Sequence, residues 1–277
     1  MLSWGMNVAS IDGALFDFKR LDELSSGTTS IHRLDPRAKV LVTLAFIVTV
    51  VSFGKYEVTA LVPFFIFPAL MIALGDLPVR YIVRKIALGL PFAFVVGMLN
   101  PLFDREVLVR LGPVGISGGW LSCTSITVRA MLTIGAAVIL VGVTGFPAIC
   151  RALECLGMPR VFAMQLLFLY RYIFVLTDEG MRASRARELR SFGKRGTGIS
   201  SYGSLVGHLL LRTWLRAERI HMAMLARGFT GEFHTRQAFR FGGSELLYLA
   251  GWSMLFILMR THNVAELLGS LVTGMSR

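Results

Sequence analysis

The chain has 277 residues, 54% of them hydrophobic, and 29 Lys+Arg against 17 Asp+Glu give it a formal charge of +12. Its apolar residues run on without the periodic interruptions of a water-soluble core, which argues against an ordinary soluble domain. Aromatic-interleaved basic patches are missing, so nucleic acid does not explain the charge, and three cysteines without a Cys-x-x-Cys pair indicate neither a disulfide framework nor a zinc site.

Residues 1–37 read as a leader on the cytoplasmic face. Met1 to Ser30 is mixed and acidic, with Asp12, Asp17, Asp22 and Glu23 and no apolar core, unlike a signal peptide. The segment Ile31-His32-Arg33-Leu34-Asp35-Pro36-Arg37-Ala38-Lys39 follows, directly before the first apolar run. Asp35 suits a helix N-cap and Pro36 the first turn. Arg33, Arg37 and Lys39 mark that end as cytoplasmic.

Residues 38–158 are expected to form a four-span membrane domain. The apolar runs Val40–Phe53, Val58–Leu74, Ile86–Leu99 and Ala130–Val143, with mildly polar flanks, approach the roughly 20 residues that cross hydrocarbon. Gly75-Asp76-Leu77-Pro78 and the basic segment from Arg80 to Lys85 return the chain to the inside. Asn100 to Gly119, rich in glycine and proline, reads as an external loop with hairpin-like turns. Arg129 is the one charge within a span and is expected to snorkel or to pair locally.

Residues 159–240 change character. Arg151 and Arg160 lie inside, and so must the cluster from Arg182 to Arg190. Val161 to Leu176, interrupted by Tyr170-Arg171-Tyr172, is therefore expected to dip obliquely into the inner leaflet and emerge at Thr177-Asp178. The arginine-rich block from Arg182 to Gly231 cannot sit in hydrocarbon, where each arginine costs roughly 2.5 to 3.5 kcal/mol at a helix centre. Turned at about 100° per residue, Leu211, Leu215, Met222, Leu225 and Phe229 share one arc, and Arg212, Arg216, Arg219 and Arg227 gather beside it. Such a helix packs its greasy side on the membrane domain and presents arginines sideways, to a partner or to anionic headgroups. Residues 241–277 hold a last span near Glu245 to Met259 and a tail expected outside.

The chemistry that is missing narrows the function. There is no Gly-x-x-x-x-Gly-Lys-Ser/Thr loop to cradle ATP phosphates. The apolar runs contain no Asp, Glu or His, although Cys150 follows the fourth. His32, His208, His221, His234 and His262 lie outside the runs without ligand spacing, as surface or interface histidines, so no metal site and no catalytic residue is expected. A membrane enzyme needs paired acidic or histidine motifs at a span end, and Asp178-Glu179 reads instead as helix-surface charge. A self-contained secondary transporter or channel, the main alternative, calls for inverted repeats or broken helices with polar groups at mid-membrane. Neither is found.

Leu34-Asp35-Pro36-Arg37-Ala38-Lys39 resembles the start of the transmembrane (T) component of energy-coupling factor transporters. Ala226-Arg227-Gly228 is similar to that family's second Ala-Arg-Gly signature. Ala186-Arg187-Glu188 stands where the first belongs, with Glu188 in place of glycine. Nearly the whole chain is covered, and the length, acidic leader and loop Asn100-Pro101-Leu102-Phe103-Asp104 look most like the cobalt/nickel branch. The resemblance implies an all-α polytopic protein of about five transmembrane helices plus long amphipathic cytoplasmic coupling helices, in the cytoplasmic (inner) membrane. It implies two ATP-binding-cassette partners that bind the ATP, so that this chain needs no cofactor, and a separate substrate-binding membrane subunit. The coupling contacts would be Ala186, Arg187, Glu188, Ala226, Arg227 and Gly228, with Asp35, Pro36 and Arg37 as the N-terminal motif. The implied cargo is cobalt or nickel, and a vitamin such as biotin is the alternative.

Overall fold

A computed structural model describes residues 23–103, 107–111, 114–190, 199–230 and 242–261. The leader before Glu23, Asp104, Ser191, Gly231, His234, His262 and the tail lie outside the described residues, as does the side chain of Glu188. In chain order the elements are α1 (Ser30–Arg33), α2 (Pro36–Val51), α3 (Val58–Leu61), a 3-10 turn (Val62–Phe65), α4 (Ile66–Leu74), α5 (Val79–Met98) and α6 (Asn100–Phe103). Then come β1 (Val107–Leu111), β2 (Val114–Ser117), α7 (Gly118–Thr144), α8 (Phe146–Cys155), α9 (Arg160–Arg190), α10 (Ile199–Ala226) and α11 (Gly243–Thr261). The protein is all-α and polytopic apart from one antiparallel hairpin in the expected external loop, which pairs Val107 with Ser117 and Leu111 with Val114 around a bulge.

The described residues fall into two compact units. One takes in Glu23 to Ala152 and 242–261; the other runs from Leu153 to 230.

The first unit is a helical bundle. Asp35 caps α2 through Oδ1, which accepts from the Arg37 amide at 2.9 Å, and Pro36 fills the first turn where no amide hydrogen is needed. Along α2, Val42, Phe46 and Val50 are buried while Leu44, Val48 and Val51 are exposed. A helix greasy on every side requires hydrocarbon on its outer face. The inner face meets an aromatic cluster: Phe46 stacks on Phe67 at 4.5 Å and lies 5.5 Å from Phe256, and Trp252 sits edge-on to Phe67 at 4.8 Å. The helices α5 and α7 pack most extensively, because small residues let them approach. A Cβ on Gly89 would meet Ile134 Cδ1 at 2.7 Å, and one on Gly97 would meet Cys123 Sγ at 3.1 Å.

Several expectations change here. The expected second span, Val58–Leu74, is a short apolar helix that tightens to 3-10 geometry at Val62–Phe65, where Pro63 lies, and Pro68 falls in the first turn of α4. The fourth span follows the expected external loop directly, running from Gly118 to Thr144 with Arg129 inside it. Its hydroxyls bond back to the helix, Thr127 to the Cys123 carbonyl at 2.9 Å and Thr133 to that of Arg129 at 2.9 Å, so a polar-looking stretch behaves as apolar. Arg129 pairs locally, donating from Nη2 to the Gly54 carbonyl. Lys39, one of the three cations read as marking the cytoplasmic end, is only 1% exposed and donates from Nζ to the His32 carbonyl at 3.2 Å.

Among the described residues, three helices are long and apolar enough to cross a membrane: Val79–Met98, Gly118–Thr144 and the Arg160–Arg187 part of α9. The last includes the segment expected to dip into one leaflet. By contrast α2, with 16 residues, rises only about 24 Å.

The second unit is dominated by α9 (31 residues) and α10 (28 residues). Within α9, rings stack at one-turn spacing, Phe168 on Tyr172 at 6.0 Å and Tyr170 edge-on to Phe174 at 5.2 Å. Within this unit, Leu211, Leu215, Met222 and Leu225 lie off the contact with α9 and are exposed. The residues of α10 that face α9 lie one position round, at Leu209, Thr213, Arg216 and Ile220.

Candidate partner-binding site

The second arginine signature is a helix terminus. Ala226 is the last residue of α10, and Gly228 follows in the left-handed region with φ +77°. The Gly228 amide donates to the Leu225 carbonyl at 3.0 Å, and the Phe229 amide donates to that of Met224 at 3.0 Å. This pair of bonds is the Schellman arrangement, which requires a left-handed residue just past the cap and so selects glycine. Arg227 occupies the cap position itself, exposed, where the negative end of the helix dipole favours a cation. The same closure ends α8, with Gly157 at φ +112° and the Met158 amide on the Leu153 carbonyl at 3.0 Å, but there Leu156 stands in the cap position. The glycine is thus a general helix stop. The arginine is what sets α10 apart.

The first signature is built differently. Ala186 and Arg187 lie inside α9, which continues to Arg190. Glutamate is a good helix former where glycine would interrupt, so the helix does not close at Glu188. Ala186 is exposed and Arg187 half-buried.

These two signatures are not brought together. Arg187 lies about 12 Å of helix rise beyond Glu179 on α9, and Arg227 about 16 Å beyond Arg216 on α10. Glu179 and Arg216 meet where the helices touch. Asp35, Pro36 and Arg37 belong to the other unit, where Asp35 and Pro36 are buried and Arg37 half-buried.

Sequence reasoning missed the contact itself. Glu179, read as surface charge, is 15% exposed at its side chain and lies between Arg212 Nη1 at 3.9 Å and Arg216 Nη1 at 3.2 Å; Asp178 is exposed. Beside it is a cavity of about 310 Å³ walled by Tyr172, Leu176, Leu210, Trp214 and Ile220, with Arg216 at its edge. The signal was the four-residue spacing of Arg212 and Arg216, a like-charge pair that calls for a counterion.

No group of three or more His, Cys, Asp or Glu able to hold a metal ion occurs among the described residues. No disulfide joins the cysteines among the described residues; Cys123 and Cys150 are buried and Cys155 is exposed.

Residues 27–238 match the family model described as CbiQ, Cobalt transport protein. The chain is 30% identical over 217 residues to the energy-coupling factor transporter transmembrane protein EcfT of Heliobacterium modesticaldum, covering 73% of this chain and 80% of that one. It is 26% identical over 159 residues to the cobalt transport protein CbiQ of Salmonella typhimurium, covering 53% and 71%. With the EcfT of Thermosediminibacter oceani the identity is 26% over 225 residues, covering 74% and 82%.

Proposed function

Because the chain belongs to the cobalt transport protein family, the cobalt-type branch of energy-coupling factor T components, we propose that it transmits the movements of two ATP-binding-cassette subunits to a separate substrate-binding membrane subunit. The observation that carries this reading is Arg227. An exposed guanidinium at the closed end of a 28-residue helix is a rigidly delivered fork of donors. Arg187 delivers a second contact from the flank of α9, so the ATPase pair meets an end and a side instead of two ends. The chain itself is non-catalytic, and ATP belongs to the partners. The membrane is the cytoplasmic (inner) one.

Cobalt, or nickel, is the cargo this reading favours, supported by the description of the family and by the Salmonella relative. The Heliobacterium relative's name carries no cargo, which fits a division of labour in which a different subunit selects the substrate.

Co-purification tests the assignment. Tagged full-length chain, co-expressed with cassette ATPases, brings them down, and the Arg187→Ala/Arg227→Ala double variant loses most of that yield while staying in the membrane. An unchanged yield in the double variant places the interface elsewhere.

A further inference from the structure

Two long helices rich in arginine repel one another unless a counterion lies between them. Arg212 and Arg216, one turn apart on α10, are unfavourable neighbours on a bare helix. Glu179 reaches both from α9, Oε1 at 3.9 Å from Arg212 and Oε2 at 3.2 Å from Arg216. Its side chain is 15% exposed, against 71% and 41% for the two arginines, so the carboxylate is the sheltered member of the trio. The next residue, Gly180, also faces α10, where an added Cβ would lie in ordinary contact, 3.8 Å from Leu209 Cδ1.

Immediately beside this contact the packing opens into the 310 Å³ cavity between Tyr172, Val175 and Leu176 of α9 and Leu210, Trp214 and Ile220 of α10. A sheltered carboxylate shared by two arginines, next to a half-open apolar groove, holds the helices at one point and leaves room for tilt. We propose that Glu179 is a positioning residue, the fixed point about which α9 and α10 tilt, and that it sets the spacing between Arg187 and Arg227. This rests on the coupling function proposed above. The lever arms are the helix rises of about 12 and 16 Å, so a tilt of roughly 10° at Glu179 carries the Arg227 end about 3 Å, a whole hydrogen-bond length.

The test uses the full chain co-expressed with its ATPase and substrate subunits, in a background without native cysteines and carrying Gly180→Cys and Leu209→Cys. Cross-linking of that pair by a short thiol reagent, ATPase co-purification and ATP-driven uptake are each measured. Glu179→Gln lowers cross-linking at least fivefold and uptake at least tenfold, while ATPase co-purification stays within twofold of the parent. The swapped pair Glu179→Arg/Arg216→Glu restores cross-linking and uptake to within threefold. Unchanged cross-linking and uptake in Glu179→Gln, or no recovery in the swapped pair, overturns the proposal. If Glu179→Gln does not reach the membrane, recovery by the swapped pair decides. A parent chain that brings down no ATPase fails the coupling reading instead, and the cross-linking arm still judges the pivot by itself.

Discussion

Arg260 Nη2 donates to the Ser52 carbonyl at 3.2 Å, and its guanidinium lies 4.7 Å from the centroid of the Phe53 ring. The last described helix therefore ends where the first long one ends. At their other ends the Glu245 carboxylate accepts from the Gly242 amide at 2.9 Å, as a capping glutamate does, and also takes a backbone hydrogen bond from Asp35. With Phe46 against Phe256 in the middle, α2 and α11 run parallel along their length.

That arrangement fixes a topological expectation. Single cysteines replacing Lys55 and Thr261 in a cysteine-free background label from the same side of the membrane, and one replacing Ser244 labels from the opposite side. Lys55 and Thr261 labelling from opposite sides would separate the two helices.

The two ends of α9 are expected on one side. With Cys155 retained as the sole native cysteine, and separately with Leu189→Cys alone, both positions stay shielded from an impermeant thiol reagent in right-side-out vesicles; both are exposed in the fold and so reactive in permeabilised ones. Labelling of Leu189→Cys alone from outside shows that α9, long and apolar enough to cross, does cross.

Gly228 tests the helix closure by itself. Nothing lies within 4 Å of a Cβ built there, so a substitution meets backbone strain at φ +77° and no crowding. Gly228→Ala costs about 1 kcal/mol at that terminus, whereas Asn accepts the left-handed region. ATPase co-purification falls roughly fivefold with Ala and stays near the parent with Asn. Equal behaviour of Ala and Asn removes the closure from the account.

His32 makes the turn before α2 pH-sensitive. Its Nε2–H donates to the Leu24 carbonyl at 3.1 Å and its Nδ1 accepts from the Thr29 hydroxyl at 2.7 Å, the pattern of a neutral ring. Burial, with Lys39 nearby, holds its pKa below the ordinary 6.5, against the opposing pull of the Leu24 carbonyl. Between the two values the unfolded turn binds the extra proton, so stability is complete above about pH 6.5 and declines as pH falls toward the folded value. Amide exchange over residues 24–33, corrected for intrinsic rates, quickens between pH 7.5 and 5.5, and His32→Gln abolishes the difference. A parent chain without the change contradicts this.

What could be read from residues alone was local. Asp35-Pro36 announces a capped helix because cap and first turn are set by neighbours in sequence, and Gly228 announces a helix stop for the same reason. The burial of Lys39 was not legible, because it depends on a carbonyl seven residues back and on the helices around it. The spacing of Arg212 and Arg216 called for a counterion but did not name Glu179, which lies on the preceding helix, more than thirty residues away.

ATP-driven cobalt uptake by Arg227→Ala and Arg187→Ala, at matched membrane expression with all partner subunits, is the most direct measurement. Truncating one side of a desolvated charged contact costs about 2 to 5 kcal/mol, and Arg227 holds the closed helix end while Arg187 lies on a helix flank beside Glu188. Arg227→Ala is expected to lower uptake by more than tenfold and further than Arg187→Ala, with Arg227→Lys rescuing only in part because it keeps the charge and loses the fork. Wild-type uptake by both alanine variants would contradict coupling through these arginines.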